Sequence, residues 1–162
     1  NKGTLGGSIC NADPAADYPS SLVSLNAEIH TNLREIKARS FFVDMFETAL
    51  EEGEIVTKVS IPKPEFCSYE KFSSQASKYA IVGVFLSITE RKTSIAITGA
   101  SNKVFLIEEL ENKIIDEFKK INLDDINFDK YDINSDINAS IDYRISLIKS
   151  LVKKSINNFI YE

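Results

Sequence analysis

Apolar and polar positions change their period along the chain, and each change marks an element. The most apolar run is Ala80-Ile81-Val82-Gly83-Val84-Phe85-Leu86-Ser87-Ile88-Thr89. Its β-branched content and short length predict a central strand. Residues 68–72 before it and 94–100 after it read as further strands, with a turn at Lys92-Thr93. Connections this short predict an antiparallel meander. Upstream, residues 55–61 alternate as a strand that Pro62 and Pro64 stop. Ala27, Ile29, Leu33 and Ile36 alternate weakly, which predicts an exposed hairpin around Thr31-Asn32.

Elsewhere the period is helical. Ile107, Leu110, Ile114, Ile115 and Phe118 share one face of a predicted helix over 106–118. Ile145, Ile148, Leu151, Val152, Ser155 and Ile156 do the same over 142–156. Apolar positions 42, 45, 46, 49 and 50 also follow helical spacing and predict a short helix or turn. Strands followed by helices make the fold class α+β. Residues 122–141, rich in Asp, Asn and Ile, read mainly as solvated acidic loop, with a short helix over 136–140 as an alternative. They lack the spacing and glycine of a calcium-binding EF-hand loop.

Composition narrows the function classes. The 162 residues, 43% hydrophobic and 27% charged, suffice for one domain or two small ones. A net charge of −5 and the shortness of basic runs such as Lys153-Lys154 disfavour nucleic acid as a partner. No apolar run approaches the ~20 residues of a membrane span. Cys10 and Cys67 are solitary, which fits reduced thiols of a cytoplasmic protein. His30 is the only histidine, so neither a clustered zinc site nor a serine hydrolase is expected, and no residue is assigned a catalytic role.

The densest chemistry lies at the start. Three of the six glycines fall within the first seven residues, flanked by the hydroxyls of Thr4 and Ser8. A tight glycine turn can aim successive amides at an anion, or be only a turn. Residues 20–28 pass from short polar to apolar, as at a helix start. The glycines form neither a Walker A loop nor the spaced dinucleotide fingerprint.

The longer string is more specific. Asn-x-Gly-Thr-Leu-Gly-Gly-Ser, followed by Asn-Ala-Asp-Pro-Ala-Ala-Asp-Tyr-Pro, resembles the flavin-binding segment of molybdenum hydroxylase medium subunits. This is the family of the carbon monoxide dehydrogenase medium subunit and the xanthine dehydrogenase FAD domain. Residues 41–62, 69–90 and Asp142-Tyr143-Arg144 extend the resemblance over essentially the whole chain. It implies the C-terminal part of a PCMH-type FAD-binding domain over 1–62. A CO dehydrogenase flavoprotein C-terminal-like domain, a three-stranded antiparallel sheet with helices, would then occupy 63–162.

The resemblance also implies roles. Thr4, Leu5, Gly6 and Gly7 would meet the FAD pyrophosphate through backbone amides and the Thr4 hydroxyl. Ser8 stands where many relatives have Asn, and Asn11 would contact the ribityl or diphosphate portion. Asp17 would accept from a cofactor hydroxyl, while Asp13 serves turn chemistry beside Pro14. Lys78 falls where relatives often carry an acidic residue, and Gln75 where they carry Arg. The lysine either stabilises charge on a reduced flavin or is a solvated strand end.

The implied activity is electron transfer in an oxidoreductase. A molybdenum cofactor sits on a large molybdopterin-binding subunit and 2Fe-2S clusters on a small one. FAD on the medium subunit passes electrons to an external acceptor. The family's second glycine loop belongs to a separate upstream subdomain, so this stretch alone is expected to bind FAD weakly and to be inactive. The rival reading is a non-catalytic subunit-docking module without its own flavin.

Overall fold

The computed structural model describes residues 3–113, 118 and 120–160. Two short helices come first, α1 (Leu5–Asn11) and α2 (Tyr18–Ser24). Strands β1 (Glu28–Thr31) and β2 (Glu35–Lys37) form the predicted hairpin. It is less exposed than expected, because β1 also pairs with β5 (Val56–Ser60) and so lies mid-sheet, with Ile29 and Ile36 buried.

The helical spacing over 42–50 misleads. One helical turn, α3 (Ala38–Phe41), leads into β3 (Phe42–Asp44) and β4 (Glu47–Thr48), an antiparallel pair. Phe41 and Phe42 are buried edge to face, whereas Met45 and Phe46 ride the exposed hairpin turn. Phe46 takes a φ of 56° there, which ends any helix.

Strands β6 (Phe66–Ser73), β7 (Ala80–Thr89), β8 (Lys92–Thr98) and β9 (Phe105–Leu106) form an antiparallel sheet in that order. The predicted meander is present, with a two-residue fourth strand at its edge. Its β7–β8 turn falls on Glu90 and Arg91, both at positive φ, rather than on Lys92-Thr93, which already belong to β8. Helix α4 (Ile141–Ile160) packs across β6 and β7.

The strand period of two gives this sheet distinct faces. One carries Val82, Val84, Leu86 and Ile88 of β7 with Ile95 and Ile97 of β8, all in a core shared with Ile148 and Val152 of α4. Fully burying one such side chain contributes about 1.5–3 kcal/mol. The other carries Gly83, Phe85 and Ser87 opposite Thr98, Ala96 and Ser94. There α2 lies against β7 and β8.

The first predicted helix does not form over 106–113: Leu106 ends β9, Glu108–Leu110 is a 3-10 turn, and Asn112 takes a φ of 58°. Ile107, Leu110 and Phe118 are nonetheless buried. Ile114 and Ile115 lie outside the described residues. The acidic loop is not simply solvated. Two 3-10 turns, Leu123–Asp125 and Phe128–Lys130, send Leu123, Ile126, Phe128, Tyr131 and Ile133 into the core and leave the aspartates outside. Asn122 and Asn127 cap these turns. Residues 136–140 are not helical. Asp136 instead accepts from Asn138 N, Ala139 N and Arg144 Nη2.

Candidate functional site

The glycine segment is a helix start, not an open turn. Thr4 is the N-cap of α1, and its Oγ1 accepts from Gly7 N at 3.0 Å. Gly6 and Gly7 lie in the first helical turn, and neither is among the residues at positive φ. The segment therefore makes no use of glycine's freedom at positive φ. What remains is space: a Cβ on Gly3 or Gly6 would meet nothing within 4 Å, while one on Gly7 would come 3.0 Å from Thr4 Oγ1. Leu5 is exposed beside them. Ala12 ends the helix in the left-handed region, at φ 48°. Asp13 Oδ1 then accepts from Ala15 N at 2.9 Å, the turn chemistry expected of it.

From Pro14 onward the chain is bound to the sheet. Thr98 Oγ1 lies 2.6 Å from Pro14 O and 2.8 Å from Ala16 O, and Gly99 N donates to Pro14 O at 2.7 Å. Ala80 N donates to Ala15 O at 3.3 Å. Gly99 needs its glycine: its φ is 81°, and a Cβ would sit 2.5 Å from Ala80 O.

Asp17 precedes α2 but makes no side-chain cap to it. Its carboxylate faces the sheet. Tyr69 Oη donates to Oδ1 at 2.5 Å, and Lys71 Nζ reaches Oδ1 and Oδ2 at 3.1 and 2.9 Å. Burial and the Asp17 carboxylate push the Tyr69 phenol well above its ordinary range, so this hydroxyl stays protonated and donates. Lys78 occupies the turn between β6 and β7 at φ 63°, and its carbonyl accepts from Lys71 Nζ at 3.3 Å.

Two open clefts adjoin here. One, of about 490 Å³, is lined by Thr4, Gly7, Ser8, Asn11 and Asp13. The other, of about 380 Å³, is lined by Asp17, Tyr18, Lys71, Ser77 and Lys78. Ser8, Ala16 and Tyr79 belong to both. Of the sequence-derived candidates, Thr4, Gly7, Ser8, Asn11, Asp17 and Lys78 are thus neighbours. Leu5 and Gly6, the first two residues of α1, line neither cleft.

Sequence reasoning missed Tyr69, Lys71, Tyr79, Gly83 and Thr98. Two signals were available. Positions 69 and 71 share a face of one strand, and a lone glycine inside the most apolar strand marks a close approach.

His30, the only histidine, serves the first sheet, with Nε2 2.8 Å from Ser60 Oγ and Nδ1 3.0 Å from Glu35. Among the described residues, no group of three or more His, Cys, Asp or Glu is arranged to hold a metal. Nor is any described helix long and apolar enough to cross a membrane.

Residues 1–64 match the family described as the FAD binding domain in molybdopterin dehydrogenase. The chain is 34% identical to the glyceraldehyde dehydrogenase medium chain of Sulfolobus acidocaldarius, over 96% of this chain and 60% of that protein. It is 29% identical to the nicotine 6-hydroxylase medium subunit of Paenarthrobacter nicotinovorans, with the same coverage. Among solved structures, reconstituted CO dehydrogenase from Oligotropha carboxidovorans superposes with a TM-score of 0.79 at 25% identity, over 96% of this chain and 60% of that one. Quinoline 2-oxidoreductase from Pseudomonas putida 86 shares the fold, with a TM-score of 0.81 at 24% identity over 98% of this chain and 60% of that one. The chain thus spans about 60% of the length of these relatives.

Proposed function

We infer that this chain, which belongs to the family of FAD-binding medium subunits of molybdenum hydroxylases, forms one wall of a flavin site used for electron transfer. The observation that carries this reading is the convergence of Thr4, Gly7, Ser8, Asn11, Asp17 and Lys78 on two adjoining clefts. The residues fit a dinucleotide. The space beside Gly3 and Gly6 is open, so a phosphate can approach the α1 amides with no side chain in the way. Of the first-turn amides Gly7 N is taken by Thr4 Oγ1, while those of Leu5 and Gly6 precede the first intrahelical acceptor and would favour an anion.

The roles divide along the clefts. Thr4, Leu5, Gly6 and Gly7 hold the pyrophosphate end, with Ser8 and Asn11 as polar contacts beyond them. Asp17 accepts from a cofactor hydroxyl. Lys78 offers positive charge at the far end, near Lys71. FAD, when bound, supplies the redox chemistry, while the protein binds, orients and sets the local field. Electrons would come from 2Fe-2S clusters on a small subunit, fed by a molybdopterin-binding large subunit, and leave to an external acceptor. Residues 1–62 would complete the FAD-binding domain, and 63–162 would form the second domain that backs it.

The test is the colour of the native subunit and its response to turnover. The purified subunit should carry flavin absorbance near one FAD per chain, which bleaches when the assembled enzyme receives its substrate without an acceptor. A colourless subunit that FAD cannot reconstitute would overturn the reading and leave the docking module in its place.

A further inference from the structure

Gly83 is the one glycine inside the central strand, and backbone conformation does not explain it, since it is not among the positive-φ glycines. Space does. A Cβ there would lie 2.6 Å from Tyr69 Oη, 3.2 Å from Tyr69 Cε2 and 2.7 Å from Thr98 Cγ2. In register, Gly83 stands between Lys71 on β6 and Thr98 on β8, and Tyr69 is the diagonal neighbour. The absent side chain makes a notch in the sheet. Tyr69 leans across it toward Asp17, and Thr98 rises beside it to the carbonyls of Pro14 and Ala16.

We propose that Tyr69, seated in the notch of Gly83, is a positioning residue for the flavin that acts through Asp17. This rests on the flavin reading above and adds a residue from the second half of the chain to it. An ionised carboxylate offers about four acceptor sites. Tyr69 takes one on Oδ1, and Lys71 bridges both oxygens. The remaining capacity on Oδ2 is aimed by these bonds, because Asp17 is not anchored by its own helix. Lys71 is a long, rotatable donor, whereas Tyr69 is a rigid ring with a fixed reach. The ring, more than the ammonium, therefore sets the direction in which the carboxylate faces the cleft.

A double-mutant cycle in the native subunit tests this, with FAD affinity and apo-protein melting measured on Tyr69→Phe, Asp17→Ala and the pair. Losing a hydrogen bond to a charged group should weaken FAD binding roughly tenfold in Tyr69→Phe. In the Asp17→Ala background the same change should cost less than about twofold, since the effects of residues acting through one contact do not add. Gly83→Ala, which displaces the same hydroxyl and also presses on Thr98, should lose at least as much affinity as Tyr69→Phe and serves as the second variant where Tyr69→Phe folds poorly. Equal losses with and without Asp17 would overturn the proposal, as would unchanged affinity in both Tyr69→Phe and Gly83→Ala. A wild-type subunit that binds no FAD would overturn the flavin reading itself, a result distinct from either.

Discussion

The two faces of the four-stranded sheet come from the same strands and are made of different material. On β7 and β8 one is mainly aliphatic, Val82, Val84, Leu86, Ile88, Ile95 and Ile97, and is sealed by α4. The other sets Phe85 among a missing side chain and small or polar ones: Gly83, Ser87, Ser94, Ala96 and Thr98. On it Ser24 of α2 joins Ser87 Oγ at 2.8 Å and donates to Ser94 O at 2.9 Å, while Thr98 grips the 14–16 backbone. Hydrophobic burial is strong and non-directional. Hydrogen bonds contribute less net stability but fix position. The aliphatic face accordingly carries the stability of the fold, and the polar face sets where the glycine segment and Asp17 lie.

The largest expected effect tests the aliphatic face. Ile97→Ala empties a fully buried site and should cost about 2–5 kcal/mol of unfolding free energy, read by denaturant titration. FAD affinity of the molecules that remain folded should change little. A loss of affinity without a loss of stability would break the division between the faces.

Next is Thr98→Val on the polar face. It keeps the shape and strips the donor from Pro14 O and Ala16 O, of which Pro14 O retains Gly99 N. The expected loss is about 1–3 kcal/mol of stability. FAD binding should weaken beyond what that loss explains, because the freed backbone carries Asp17. Calorimetry and flavin titration on the same preparation compare the two.

The smallest effect lies off both faces and serves as a control. Glu54 accepts from Arg34, from the Glu51 amide and from Thr31, and these bonds hold its carboxyl at about 2, below the ordinary 4.5. A carboxyl depressed in the folded state stabilises above its unfolded pKa, and that contribution is lost as pH falls through the folded value. Melting temperature should therefore decline between about pH 4.5 and pH 2, and Glu54→Gln should flatten that part of the profile. An unchanged slope in Glu54→Gln would assign the acid sensitivity elsewhere.

The two faces were not equally legible in the sequence. The aliphatic one announces itself, since the run at 80–89 is β7 to the residue. The strand over 55–61 and the final helix follow from their periods within a few positions. The polar face gave no such signal. Thr98 and Ser87 look like ordinary strand residues until the backbone they bind is known, and that backbone lies more than 60 residues away. Short turns also defeat periodicity. Met45 and Phe46 fit a helical stripe yet ride a hairpin, and Leu123, Ile126 and Phe128 reach the core from 3-10 turns with no sustained period. The candidate site was legible where a long string resembled a family. Its supporting residues, contributed by distant strands, were not.

The central claim is that the glycine segment serves the flavin and not the fold. Gly6→Val tests it most directly, because a side chain there meets open space, whereas one on Gly7 would press on the Thr4 cap. FAD titration and apo-protein melting on wild-type and Gly6→Val native subunit should show affinity reduced at least tenfold, about 1.4 kcal/mol, with melting unchanged. Affinity equal to wild type, or a loss that only tracks a fall in melting temperature, would contradict the account.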